Sequence, residues 1–471
     1  MAKHAVGEFD LNIERVLEHW TVAYAIRELI ANALDEHVLT ATREPEISKD
    51  RGGSWHIRDF GRGLKYQHLT QKENKEKLRR SEDVIGKFGV GLKDALATLN
   101  RRRISVTIRS RHSDISIGMV QKHGFERIKT LHALIAEPSD PELDGTDIIL
   151  AGVNDKDVET AKNFFLRYAG EEILDTTPHG SVLRRTSKKA HIYVTGLRVA
   201  EEENFLFSYN ITKLTAPLRK ALNRERTNVG RGAYSAQVKA LLLSSSMTEV
   251  AESLATELSS LEHGTTHDEV QWLDVQVHAC QLLNNSGEVV FVTAQDMFAR
   301  SKLIDYARSE GRRIVVVPLA LAAKLPKLTD TAGRPIRDLD VFHHEWASSF
   351  SFTFVDPSSL STAEKAVFSQ TNRIIALLGK KRGKVREILI SETMRVDQSG
   401  SENVGLWQPG DRSVIIKRSQ LCELSSYAGT LLHELTHAAT GTDDRTLEFE
   451  GALSKALGVV AAAALAHQPE N

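Results

Sequence analysis

Apolar positions recur at two periods along this chain, about 3.6 and 2, separated by polar or glycine-rich breaks. Residues 11–40 carry Val16, Leu17, Trp20, Tyr24, Ile26, Leu29 and Ile30 at helical spacing and predict one helix. Residues 54–58 predict a short strand running into a glycine turn. Residues 65–85, with the charged run 72–80, lack a core-facing stripe and predict a mobile lid. A helix restarts at Leu92, and strands are expected over 104–110, 115–120 and 147–150. Strands and helices sharing one stretch predict an α+β sandwich. A second unit follows, with strands over 191–195 and 205–209 and a long helix over 236–261. A strand–helix–strand pattern over 289–293, 299–309 and 314–317 predicts a small α/β unit with parallel strands. From about 346 helices dominate, interrupted by one strand at 413–417. The expected domains are therefore 1–175, 176–262, 263–345 and 346–471.

Composition narrows this picture. The 41% hydrophobic and 26% charged content of 471 residues is ordinary for globular domains. A net charge of -1 supplies no general basic field, so a nucleic-acid partner is not favoured. Cys280 and Cys422 are too few for a disulfide framework or a cysteine zinc site. Residues 1–10 do not read as a signal peptide, and the apolar run 458–466 is too short to span a bilayer. A cytoplasmic setting with no membrane contact is the expectation. His343-His344-Glu345 and the basic runs 101–103 and 380–384 are expected to be ordinary surface features.

Two constellations carry chemistry. Glu28, Asn32 and Asp35 form a polar stripe at i, i+4, i+7 on a helix that is otherwise largely apolar. Burying that stripe requires partners, which Mg²⁺ and a phosphate-bound water would supply, with Asn32 as magnesium ligand and Glu28 as proton acceptor. Asp59 ends a strand ahead of Gly61 and Gly63, where it can accept a hydrogen bond from an exocyclic amine. Gly86, Gly89 and Gly91 open a helix and offer backbone N–H groups to phosphate. Three such boxes within 64 residues resemble the GHKL ATPase superfamily of gyrase B, the ninety-kilodalton heat-shock chaperone, MutL and the MORC ATPases.

The resemblance covers roughly residues 20–150 and implies a Bergerat-type α/β sandwich binding ATP and Mg²⁺. It makes Glu28 the general base, Asn32 the magnesium ligand and Asp59 the adenine reader. Gly86, Gly89 and Gly91 become the phosphate lid, and Thr146 the later threonine that supports Asp59. It also implies a transducer-like second domain, for which Arg224 is a candidate contact to the γ-phosphate, and pairing of two N-terminal domains on ATP binding. The kinase branch needs a phosphoacceptor helix ahead of the pocket, and only 27 residues precede Glu28.

Near the other end, Leu431-Leu432-His433-Glu434-Leu435-Thr436-His437-Ala438 contains no Gly or Pro and predicts a helix. Histidines at i and i+4 share one face and can hold zinc, with Glu434 acting on water beside it. No third histidine follows at metzincin spacing. The stretch resembles a gluzincin-like zinc metallopeptidase, in which a downstream glutamate is the third ligand. That resemblance implies Glu450, with Glu448 as the alternative, and Asp443 or Asp444 orienting a histidine. Strand 413–417 is read equally as a substrate-binding strand or a core strand, and Tyr427 as a weak candidate oxyanion stabiliser.

Together these readings give an ATP-regulated zinc-dependent protease acting on a protein or peptide, with ATP, Mg²⁺ and Zn²⁺ as cofactors and dimerisation on ATP binding. Residues 263–345 would then be a relay or substrate-reading unit. The alternatives are a MORC-like ATPase clamp, associated with nucleic acid and holding a structural metal, and an ATP-binding sensor whose output is partner binding.

Overall fold

The computed structural model describes residues 7–11, 18–69, 77, 84–85, 91–125, 127–222, 229–259, 267–379, 384–397 and 400–466. The chain divides into two compact units, Met1–Ala279 and Cys280–Asn471. It is a mixed α/β protein with four sheets among the described residues. One sheet falls within each of the four expected segments, except that the second begins at Ile173 rather than after 175.

In the first unit, strands β1 (Gly7–Asp10), β2 (Glu46–Lys49), β3 (Trp55–Arg58), β4 (Ser105–Ser110), β5 (Ser113–Gln121), β6 (Lys129–Ala136) and β7 (Thr146–Ala151) form one sheet. Their order is β1-β6-β5-β4-β7-β3-β2, and every pairing is antiparallel. Strand β4 shows the alternation of a sheet with one covered face. The cover is the helix Val22–Thr40, packed against Gly91–Arg101 and Asp155–Lys162. Ile26, Leu29, Ile30, Leu96 and Leu99 meet Ile108 and Leu150 in this core. Each such side chain contributes about 1.5–3 kcal/mol on burial.

The first helix starts later than its hydrophobic period predicts. Thr21 caps it, its hydroxyl accepting from Tyr24 N at 3.4 Å. Val16 and Leu17 lie outside the described residues, as does most of the expected lid.

The second sheet holds β8 (Ile173–Thr177), β9 (Gly180–Leu183), β10 (Ala190–Val194), β11 (Leu197–Glu202) and β12 (Ser208–Ile211) in the order β11-β10-β12-β9-β8. The expected long helix is two, Ser235–Ser244 and Thr248–Leu258. The break falls at Ser245, whose hydroxyl donates to Asp175 at 2.6 Å and whose backbone is extended. Side-chain competition of this kind favours serine at helix ends. The helix Leu273–Asn284 runs across the division between the two units.

In the second unit, β13 (Val289–Val292) and β14 (Arg313–Val316) pair in parallel, as the strand–helix–strand pattern predicts. The C-terminal segment departs from expectation. It holds three strands, β15 (Glu387–Ser391), β16 (Gly405–Gln408) and β17 (Ser413–Lys417), in the order β15-β17-β16. The two helices beside this sheet are Leu424–Thr440, called here the histidine helix, and Leu447–Ala466, the last helix. By length and composition the last helix is apolar enough to cross a membrane, with 6% of its most apolar window buried. The run 458–466 therefore understates it, because the helix begins eleven residues earlier.

Candidate functional sites

In the first unit, cations of the chain itself meet the polar stripe. Asp35 is 1% exposed. Its Oδ1 accepts from Ile85 N at 2.6 Å and its Oδ2 from the Lys77 ammonium at 2.7 Å. The same ammonium donates to Asn32 Oδ1 at 3.1 Å. Two oxygens thus converge on one positive charge, a donor set suited to a cation. Glu28 is held differently. The guanidinium of Arg27 donates to Glu28 Oε1 at 2.7 Å from Nη2 and 3.2 Å from Nε. Arg27 is fully buried among Trp20, Tyr24 and Phe164, with ring centroids 5.0–5.7 Å away. The sequence reading passed over Arg27. A basic residue on the core side of a helix, three and seven positions after aromatic residues, is the signal that marks it.

Gly91 closes on the same carboxylate, since a Cβ there would collide with Glu28 Oε2. Asp59 follows β3, and Asp59 N bonds Thr146 O at 3.0 Å. Its buried carboxylate accepts from Gly61 N at 3.0 Å and Thr146 N at 3.3 Å. Burial pushes it up to about 6, against the pull of those bonds and assisted by the charge of Glu36. The hydroxyl of Thr146 accepts from Leu64 N at 3.0 Å, tying down the chain after Gly63. Gly145 has φ +78 and lies where a side chain would strike the Asp59 backbone, so only glycine fits that turn.

Glu36 was also missed. It receives Arg62 N at 3.0 Å and Arg62 Nε at 2.9 Å, anchoring the Asp59 loop to the first helix. Burial works against its charge, yet the bonds from Arg62 hold it below the usual carboxylate range. Glu28 and Gly91 thus meet, as do Asn32 and Asp35, and Asp59, Gly61 and Thr146. Gly86, Gly89 and Arg224 lie outside the described residues.

The second unit brings its histidines to a point. His433 Nε2 and His437 Nε2 are 3.1 Å apart. Asp444 Oδ1 stands 3.0 Å from the first and 3.2 Å from the second. Tetrahedral zinc with bonds of about 2.0–2.1 Å requires neighbouring ligands roughly 3.3 Å apart, and this triangle nearly meets that. His437 Nδ1 donates to Thr442 O at 2.7 Å, and Nε2 is the ring atom that faces Asp444. Burial holds His433 below the usual histidine range, aided by His437 and opposed by Asp444.

Asp444, not Glu450, completes this group. Phe449 points inward from the first turn of the last helix, and successive helical residues are about 100° apart. Glu448 and Glu450 on either side of it are therefore turned outward and exposed. Asp444 is delivered instead by the turn between the helices. That turn passes through Gly441 at φ +73 and Arg445 at φ +63, two left-handed residues that a sequence pattern does not announce.

Glu434 lies one residue from the triangle's first corner and is 6% exposed. Burial pushes it up to about 7, while His437 and a bond from Trp407 N pull the other way. The histidine helix packs close to β16, where a Cβ on Gly405 would sit 2.6 Å from Thr430 Cγ2 and 2.7 Å from Glu434 Oε1. These residues line a cleft of about 840 Å³, with Leu406 and Trp407 on one side and Asp443 and Asp444 on the other. Strand 413–417 is the central strand of its sheet, paired with β15 and β16, so it is a core strand with no edge to offer. The edge strands are β15 and β16, and β16 is the one against which the histidine helix packs most. Tyr427 is not an oxyanion group either. It is fully buried, with its hydroxyl 2.6 Å from Thr371 Oγ1. His343 bonds Val396 O and Glu345 bonds Arg337, as ordinary structural groups do.

Residues 156–248 match the family described as the Mycoplasma pneumoniae MPN635 N-terminal domain. That stretch contains the second sheet and includes neither Glu28 nor His433. A Mycoplasma pneumoniae protein named as uncharacterized is 39% identical over 241 residues, which cover 50% of this chain and 96% of that protein. Another uncharacterized protein of the same organism is 25% identical over 335 residues, covering 66% of this chain and 94% of its own length.

Proposed function

The chain belongs to the family of the Mycoplasma pneumoniae protein that it matches over 96% of that protein's length, and within that family we propose an ATP-regulated, zinc-dependent protease. One observation carries this reading: two imidazole Nε2 atoms and one carboxylate oxygen converge at 3.0–3.2 Å beside a buried glutamate in a cleft. Zinc held there would supply a Lewis acid and lower the pKa of water to about 7. Glu434 takes the proton from the attacking water and delivers it to the leaving nitrogen as the C–N bond breaks. The outer edge of β16 aligns an extended peptide by its backbone groups other than Trp407 N, which bonds Glu434. Asp444 is the third ligand, in place of Glu450.

The first unit is read as a GHKL-type ATP site. Asp59 receives the adenine amine, the Asn32–Asp35 pair exchanges the Lys77 ammonium for Mg²⁺, and Glu28 is the base, held by Arg27. ATP binding is proposed to pair two first units and to control cleavage, in a cytoplasmic setting. The rival reading is an ATPase clamp with a structural metal. The set of three ligand residues disfavours it, because structural zinc sites take four protein ligands and catalytic ones keep a position open.

Glu434→Gln separates the two. With zinc content unchanged, the protease reading expects cleavage of an unfolded protein substrate to fall by about a hundred- to ten-thousandfold, the usual gain from one general base. Equal cleavage by both proteins would reject the assigned role of Glu434.

A further inference from the structure

We propose that Phe449 is the positioning residue of the metal site, its ring fixing the planes of both histidine ligands. This inference rests on the zinc reading above. Phe449 is the buried residue of the last helix, 3% exposed, while the rest of that helix is half-buried or exposed. Its ring stacks on His437 at 4.2 Å between centroids and 20° between planes. It meets His433 at 4.8 Å and 66°.

Imidazole rotates in a broad, roughly twofold well about its last torsion. Two ligands must nonetheless aim their Nε2 atoms at one point. His437 has a second restraint in its Nδ1 bond to Thr442 O. His433 has no hydrogen bond at Nδ1 among the described residues, so it lacks the carbonyl or carboxylate that usually orients a metal-bound histidine. The edge of Phe449 supplies that restraint.

The same segment places the third ligand. The Thr446 hydroxyl donates to Asp443 O at 2.9 Å and accepts from Phe449 N at 3.2 Å. Asp444 and Phe449 therefore arrive as one clasp, closed at Thr446. Docking of Phe449 on the histidines and placement of Asp444 Oδ1 over them are one event.

The test is a cobalt titration of the full chain, following the visible ligand-field band, with zinc competition for affinity and thermal unfolding alongside. Phe449→Leu keeps an apolar group without the flat face, and Phe449→Tyr keeps the face. We expect Phe449→Leu to bind metal about ten- to a hundredfold more weakly, the range of outer-shell losses, with a displaced cobalt band. Phe449→Tyr should restore both. Phe449→Leu with the wild-type affinity and band would overturn the proposal, and so would a loss that Tyr does not rescue. Phe449→Ala, if it unfolds, leaves the Leu and Tyr pair to decide. A wild type that binds neither metal would remove the zinc reading itself, and this inference with it.

Discussion

The two sites solve the same problem in opposite ways. In the first unit the carboxylate and amide oxygens already have cations from the chain: Lys77 sits on Asn32 and Asp35, and Arg27 on Glu28. In the second unit two imidazole nitrogens and one carboxylate oxygen face each other, and no lysine or arginine lines that cleft among the described residues. A cluster of two imidazoles and a carboxylate with no lysine or arginine beside it leaves room for a cation from outside. A cluster with its own lysine must give that lysine up before it takes another cation. On the proposed reading the second site would take a metal directly, and the first would exchange one charge for another.

The sharpest break in this contrast is at Asp444. The roughly 10–16 kcal/mol of a structural zinc site, shared over four positions, gives about 2.5–4 kcal/mol per ligand. Asp444→Ala should therefore weaken zinc by a few hundredfold in a chelator competition, while Glu450→Ala leaves it unchanged. The opposite order would return Glu450 to the metal.

Next is Lys77→Met, which leaves Asp35 buried without its ammonium. Breaking one side of a buried pair costs about 3 kcal/mol or more. Denaturant unfolding should show that loss without nucleotide and recover much of it with ATP and Mg²⁺. Recovery with neither ligand's help, or none at all with both, would contradict the exchange.

Asp59 gives a pH signature. Its folded pKa of about 6 lies above the unfolded value near 3.8, so the folded state binds the extra proton between those limits. Stability then falls as pH rises from about 4 to about 6, and the cost is complete above that. Asp59→Asn should be more stable than the wild type at pH 7 by about 3 kcal/mol, with the gap closing below pH 4, while binding of an adenine nucleotide is lost. A gap independent of pH would dismiss the burial argument.

The smallest effect is expected at Arg445. Its left-handed backbone costs about 1 kcal/mol for a side-chain residue. Arg445→Gly should therefore shift stability by no more than about that and leave zinc affinity within a few-fold. A large loss would mean that the arginine side chain itself builds the turn.

Periodicity and spacing made much of this legible. The helix of Glu28, Asn32 and Asp35 and the helix of His433 and His437 each put their residues on one face, as a 3.6 period requires. Strand β3 ahead of Asp59 was readable from apolar alternation and the glycines after it. Thr146 could be matched to Asp59, but the register that joins them, Arg58 opposite Asp147, is a long-range pairing. Asp444 was visible only as an outer-shell candidate, because its place depends on the left-handed turn through Gly441 and Arg445. The short strands β15 and β16 were hidden by polar neighbours, so β17 passed for an isolated strand. The cations Arg27 and Lys77 were missed because charged residues on or near helices usually face water, and only packing shows otherwise.

Coupling of the two sites within one chain is tested by cleavage of an unfolded protein substrate by the zinc-loaded full chain, with and without ATP and Mg²⁺, using wild type, Asn32→Ala and Glu434→Gln. Coupled sites give cleavage by the wild type that depends on ATP and is lost in both variants. Cleavage that persists without ATP and survives Asn32→Ala would contradict the coupling, leaving a protease whose nucleotide site serves another end.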